Sequence, residues 1–489
     1  MQSGESMSDS DSVAIPTWIE TNVPQRMDRL PWSKWHWLVV VGLGVTWILD
    51  GLQVTLAGAI GAILQNPKAL GLSALEVGAS ASCYLAGAVV GALVFGYATD
   101  RFGRKKLFYI TLSVYLCAAA LTAFSWNFYS YAAFMWIAGA GIGGEYAAIN
   151  SAIDELIPAR VRGQVDLIIN STYWLGAMLG AGATVILLNE KFFPIWLGWR
   201  ISYGIGAVLG LGVLLIRHWV PESPRWLMVH GRNEEAEAIV ASIEKQVTDG
   251  GGTLPELEEK PLRISIHTGT PWKQIFRTLL VDQRKRTFLG LVLMSSQAFF
   301  YNAIFFTYAL VLNKFYKVPA ETVSWYILPF ALGNLLGPIL LGRFFDVIGR
   351  KPMIILTYGL SGVLLAVTAV LFQMDLLNPI TQSIAWVAIF FIASSAASAA
   401  YLTVSELFPL EMRAMAIAIF YAAGTLVGGV FAPSIFASLI QSGSRDMLTI
   451  GYFAGASLMI FAAVVEHFFG VAAERKSLES ISPPLSSQG

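Results

Sequence analysis

The sequence predicts an all-α polytopic membrane protein, with twelve helices crossing the bilayer as two pseudo-symmetric bundles of six. Three observations carry this. Of 489 residues, 55% are hydrophobic and 13% are charged, against roughly 25% charged in a soluble domain. Apolar runs of about 20 residues, each able to cross a hydrocarbon core of about 30 Å as helix, recur along the chain. A charged stretch between two such runs, GYATDRFGRKK at 96–106, returns as GRFFDVIGRKP at 342–352.

Residues 1–34 are polar and read as a cytoplasmic tail, poorly ordered through Ser12, with no cleavable signal peptide. Trp32, Trp35 and Trp37 then fall where a membrane interface is expected. Spans follow at about 36–64, 74–99, 105–124, 128–154, 163–188 and 199–219, within an N-terminal bundle over 35–220. Residues 221–285 form a cytoplasmic linker. In it Asn233–Val247 reads as a short helix with acids in its first turn, and TPWKQIFRTLLVDQRKR reads as an amphipathic helix along the membrane surface. Spans at about 287–312, 321–345, 352–373, 381–407, 412–440 and 447–470 make a C-terminal bundle over 286–470. Residues 471–489 form a second tail.

Lys and Arg concentrate in the loops that share a side with the linker, among them Arg101, Arg104, Lys105, Lys106, Arg160, Arg162, Arg350 and Arg413. That bias places both termini in the cytoplasm. The 45 glycines suit closely approaching membrane helices. Net charge is zero, which implies no bulk attraction to nucleic acid. Cys83 and Cys117 lie inside apolar runs without disulfide or metal-site spacing. Five His residues form no cluster with Cys or Asp, so neither an enzyme nor a bound metal or cofactor is expected.

The hairpins hold Asp100 with Arg104, and Asp346 with Arg350, at pairing distance near helix ends, and glycine at 103 and 349 suits the turn. Each hairpin is followed by an acidic element: Glu155-Leu-Ile-Pro-Ala-Arg-Val-Arg162 and Glu406-Leu-Phe-Pro-Leu-Glu-Met-Arg413. Recurrence at nearly one offset marks an internal repeat. Glu155 with Arg162, and Glu406 with Arg413, are expected to pair. Charged groups inside spans usually face a cavity or a proton path. Asp50 lies mid-span with Gln53 one turn on, and Glu145 lies in GAGIGGEYAAINS. A carboxylate in such a cavity can take up and release a proton near neutral pH, which makes Asp50 the first candidate for a coupling proton and Glu145 the second.

The repeated hairpin resembles the signature of the major facilitator superfamily, whose halves are parallel repeats. PESPRWL at 221–227 resembles the element of its sugar-porter branch, with Glu222 and Arg225. Gln297-Ala-Phe-Phe-Tyr-Asn302-Ala-Ile-Phe is similar to that branch's substrate-binding QxxxxNAxF pattern, and Asn170 stands where sugar porters carry a substrate-binding Gln. The resemblance covers roughly 36–470. It implies a cytoplasmic gate of ion pairs built from Asp100, Arg101, Arg104, Glu155, Arg162, Glu222, Arg225, Asp346, Arg350, Glu406 and Arg413. Met135 stands where proton-coupled sugar porters carry an Arg, and Ala399-Ala-Tyr401-Leu replaces their GPxPW element. WILDGLQVTLAGAI and NSTYWLGAMLGA look more like neighbouring metabolite and organic-acid symporters.

The expected function is secondary active transport of a small polar metabolite (an organic acid, an aromatic acid or a sugar) by alternating access with proton symport. The substrate contacts would be Gln53, Asn170, Trp174, Gln297, Tyr301, Asn302 and Tyr401. A uniporter without proton coupling is the alternative; a transport-inactive sensor fits less well, because the gate elements are intact in both halves. The expected setting is a monomer in a bacterial inner membrane, meeting substrate, proton and lipid.

Overall fold

The structure is a computed structural model that describes residues 18–257, 261–266, 269–305, 307–319, 322 and 324–485. The disorder expected through Ser12 lies outside the described residues.

From Trp18 onward the N-terminal segment is built into the fold rather than trailing as a tail. Strand β1 (Trp18–Thr21) alternates exposed and buried residues and pairs antiparallel with a strand of the central segment, β2 (Leu262–Ser265). Helix α1 (Val23–Asp28) follows. Val23, Met27 and Leu30, at most 2% exposed, fall on one helical stripe.

Six long helices make the first bundle: α2 (Lys34–Leu64), α3 (Ala74–Phe102), α4 (Arg104–Thr122), α5 (Phe128–Leu156), α6 (Arg162–Leu187) and α7 (Ile195–Ile216). Short helices α8 (Pro224–Val229), α9 (Asn233–Asp249) and α10 (Trp272–Arg277) occupy the central segment. The second bundle comprises α11 (Arg284–Phe305), α12 (Tyr308–Tyr316), α13 (Ser324–Val347), α14 (Arg350–Gln373), α15 (Pro379–Leu407), α16 (Arg413–Gly424), α17 (Ala432–Gln441) and α18 (Arg445–Phe469), with α19 (Leu478–Ile481) beyond it. Among the described residues, eleven helical segments are long and apolar enough to cross a membrane. The twelfth, α6, is 26 residues long but carries Gln164, Asp166 and Asn170.

Local chemistry sets the boundaries. Gly103 (φ +101°) and Gly349 (φ +123°) turn α3 into α4 and α13 into α14 through backbone angles that side chains disfavour. Ser73, Asn127 and Asn378 cap α3, α5 and α15 with side-chain oxygens. Two expected continuous spans are interrupted. The seventh divides into α11 and α12 just after Asn302, and the eleventh widens into a π-helical stretch, Thr425–Phe431, between α16 and α17. Wide turns of this kind concentrate at functional sites.

The bundles meet through two equivalent pairs, α3 against α16 and α6 against α13. Contact is close: a Cβ on Gly96 would stand 2.5 Å from that of Ala418. On the linker, α9 packs on α1, and Glu244 accepts from Arg26 and Arg29 at 2.6 Å each. Helix α10 and the turn after it leave Trp272, Phe276, Leu280 and Val281 exposed, a row that suits the expected membrane-surface orientation.

Candidate functional site

A cavity of about 250 Å³ lies between the bundles. Helix α2 supplies Trp47 and Asp50, α5 Tyr146, and α6 Asn170, Tyr173 and Trp174; across the interface stand Gln297, Tyr301 and Asn302 of α11, Tyr401 of α15 and Tyr421 of α16. The fold thus brings Asp50, Asn170, Trp174, Gln297, Tyr301, Asn302 and Tyr401 around one cavity. Among the described lining residues there is no Lys, Arg or His, and Asp50 is the single carboxylate.

Asp50 is 2% exposed. Its Oδ2 accepts from the Tyr146 hydroxyl at 3.0 Å, and its Oδ1 has no donor among the described residues. Tyr146 is fixed by the edge of Trp47 at 4.4 Å and the ring of Tyr421 at 4.6 Å, so residues of both bundles orient the Asp50 partner. Neither Tyr146 nor Tyr421 carries a motif that would have flagged it. On the opposite wall Tyr301 donates to Asn334 Oδ1 at 2.6 Å, and Trp174 packs near the Tyr301 and Phe305 rings. Asn170 and Asn302 each donate to the carbonyl one turn earlier, at 2.9 and 2.7 Å.

Two expected site residues sit elsewhere. Gln53 does not line this cavity; its amide lies over Gly206 and lines a second chamber. Three residues along a helix rotate the side chain about 60° short of a full turn, enough to separate it from Asp50. Glu145 lies behind the cavity wall, where its Oε1 is 3.0 Å from Arg217 Nη2. Arg217 caps α7, yet it is 1% exposed, also donates to Thr46, and stacks 4.0 Å from the Phe108 ring centroid. Arg217 therefore holds a buried charge pair, and Glu145 is not among the residues that line the cavity.

A layer of charges closes one end of the interface. Arg104 bridges Asp100 at 3.2 Å and Glu155 at 2.8 Å, and Arg350 bridges Asp346 at 2.8 Å and Glu406 at 3.1 Å. The pairs expected within each half are exchanged between halves. Glu155 meets Arg413 at 3.4 Å, and Glu406 meets Arg162 at 3.6 Å. The reason is the interface itself: facing α6 to α13 and α3 to α16 sets each arginine against the other bundle's acid. Both hairpin aspartates also reach across. Asp100 accepts the backbone N–H groups of Ala414 and Met415 at the start of α16, and Asp346 those of Gly163 and Gln164 at the start of α6. A helix N-terminus is the favourable place for such an anion.

Among the described residues Glu222 pairs with no arginine side chain at bonding distance; it accepts the backbone N–H of Arg104 at 2.9 Å and of Lys105 at 3.2 Å, capping α4. Burial pushes its carboxyl above the ordinary range, and these amides oppose that. Arg101 is exposed and has no carboxylate partner among the described residues. Arg225 is engaged by Asp28 at 2.8 Å and by Glu479 at 3.3 Å, and Asp28 also meets Arg162 at 3.2 Å. Asp28 and Glu479 come from segments read as tails, and no sequence motif pointed to them.

This architecture, a cavity between two six-helix bundles closed at one end by charges, is that of a membrane transporter. The family model for sugar (and other) transporters matches residues 34–484, and the chain belongs to that family. It is 27% identical to the niacin transporter of Acinetobacter baylyi, covering 93% of this chain and 98% of that one. It is 25% identical to an inner membrane metabolite transport protein of Escherichia coli K12, covering 94% and 97%. Its fold matches that of a major facilitator superfamily proton:xylose symporter bound to 6-bromo-6-deoxy-D-glucose, with a TM-score of 0.74 at 19% identity, covering 92% of this chain and 98% of the symporter. The chain is a multi-pass secondary transporter, not an enzyme.

Proposed function

We propose that the protein is a proton symporter that moves a small polar metabolite by alternating access, with substrate bound in the central cavity and the proton carried by Asp50. The observation that carries this reading is Asp50 itself, the single carboxylate among the described lining residues, with one oxygen held by Tyr146 and the other without a donor among them. The amides of Asn170, Gln297 and Asn302 and the rings of Trp174, Tyr301 and Tyr401 suit a hydroxylated or aromatic solute. Niacin and xylose, which the relatives' names give as their substrates, are both of that kind. The crossed charge layer serves as the cytoplasmic gate, closed in this conformation, and the positive-inside bias puts both termini on that side. We read the protein as a monomer in a bacterial inner membrane, in keeping with the bacterial relative named as an inner membrane protein.

Proteoliposome uptake tests this. An inward proton gradient should drive accumulation of a sugar or an aromatic or small organic acid. Asp50→Asn should abolish uphill accumulation and retain part of the exchange across the membrane. Equilibration of substrate regardless of the gradient would favour a uniporter, and full uphill transport by Asp50→Asn would remove Asp50 from the coupling.

A further inference from the structure

A second chamber of about 420 Å³ adjoins the central cavity, sharing Val54, Tyr84, Leu85 and Gly429 with it. Its wall is largely small and apolar. Gly58 of α2 and Gly78 of α3 both line it, and neither has a heavy atom within 4 Å of where a Cβ would stand. The space beside them is open rather than filled by interlocking side chains.

Of the buried polar groups on this wall, Ser80, Thr122, Tyr131 and Tyr203 are hydrogen-bonded within the protein, and two are not. Gln53 is 5% exposed and Tyr115 is 3% exposed, and among the described residues neither the Gln53 Nε2 nor the Tyr115 hydroxyl has a hydrogen-bond partner. The Gln53 amide is held against Gly206, where a Cβ would come 1.6 Å from Nε2. Buried donors without acceptors are costly, so a glutamine kept in that position is explained if something else supplies the acceptor. An apolar enclosure with a few placed polar groups is the usual make-up of a small-molecule site. Among the described residues no Lys, Arg or His lines either cavity.

We infer that this chamber is an extension subsite. On this inference the transported metabolite is an amphiphile whose polar head lies in the central cavity. An uncharged aryl or short alkyl arm runs between α2 and α3, with an ether or carbonyl oxygen accepting from Gln53. The inference rests on the central cavity being the substrate site. A compact sugar would use one cavity and leave the other without an occupant, whereas an alkoxy-substituted ring would use both.

The test is binding by the full-length protein in nanodiscs, comparing methyl with butyl β-xyloside and nicotinic acid with its 5-butoxy and 5-pentyl derivatives. Each buried methylene is worth about fourfold in affinity, so an extended form should bind at least about tenfold tighter than its parent. Gly58→Leu and Gly78→Leu, which fill the chamber, should each bring that ratio to about one. Binding of the parent head reports whether each variant has folded, and either variant suffices. Gln53→Leu should erase any preference for butoxy over pentyl.

Parent heads that bind while extension gives no gain would overturn the subsite and leave the transporter reading standing. A gain that survives both leucine variants would place the arm in surrounding lipid or against another wall, which also overturns it. Binding of no head at all would sink the assignment of the central cavity, and the subsite with it.

Discussion

Asp50 and Glu145 are both buried carboxylates of the first bundle, and their partners separate their roles. Glu145 is neutralised in place by Arg217, whereas Asp50 meets a neutral hydroxyl and keeps a free oxygen. Removing one member of a buried pair costs about 3–5 kcal/mol, because the other is left uncompensated, while replacing both is often near neutral. Glu145→Gln should therefore lower thermal stability markedly, and Glu145→Gln with Arg217→Met should restore most of the loss. If the pair is structural, the double variant also retains gradient-driven uptake. A double variant that is stable but uncoupled would return Glu145 to the proton path.

The elements divide into those legible in the sequence and those that are not. The long helices were legible because each carries its own membrane-length apolar run, and the hairpins because glycine and charge recur together. Strand β1 and helix α1 were not, since elements of four and six residues owe their order to tertiary contact rather than to local propensity. The break after Asn302 and the π stretch at Thr425–Phe431 leave hydrophobicity unchanged and so leave no trace in it. Most of the central cavity could be read from intramembrane amides and motif spacing. Tyr146, Tyr173 and Tyr421 could not, because aromatic residues are abundant throughout the spans. Helix α1 yields a prediction of its own. Asp28 engages Arg162, Arg225 and the Ala159 N–H together, so Asp28→Ala leaves two buried guanidinium groups short of a carboxylate. Backbone amides over 155–163 should then exchange hydrogen faster, while those over 363–373, at the end of α14 away from Arg350, stay unchanged. Uniform protection in both regions would reduce α1 to packing.

At the scale of the whole molecule, what counts is that the charge layer joins the bundles to each other as well as bracing each one. Asp100 grips the start of α16, and Asp346 grips the start of α6, each through two backbone N–H groups. These four bonds cross between the bundles, whereas Arg104–Glu155 and Arg350–Glu406 each lie within one bundle. Hydrogen bonds to charged groups contribute about 1.5–3 kcal/mol each, so loss of one aspartate charge should shift the closed-to-open ratio at least tenfold. The pseudo-symmetry further requires Asp100→Asn and Asp346→Asn to act alike, although they lie in different halves. Spin labels at 160 and 343, on a background with Cys83 and Cys117 replaced by Ser, would measure this. Each variant should populate a longer distance to a similar extent. An effect from one aspartate alone would mean that a single half carries the latch, and unchanged distances in both would mean that the crossed contacts do not hold this end closed.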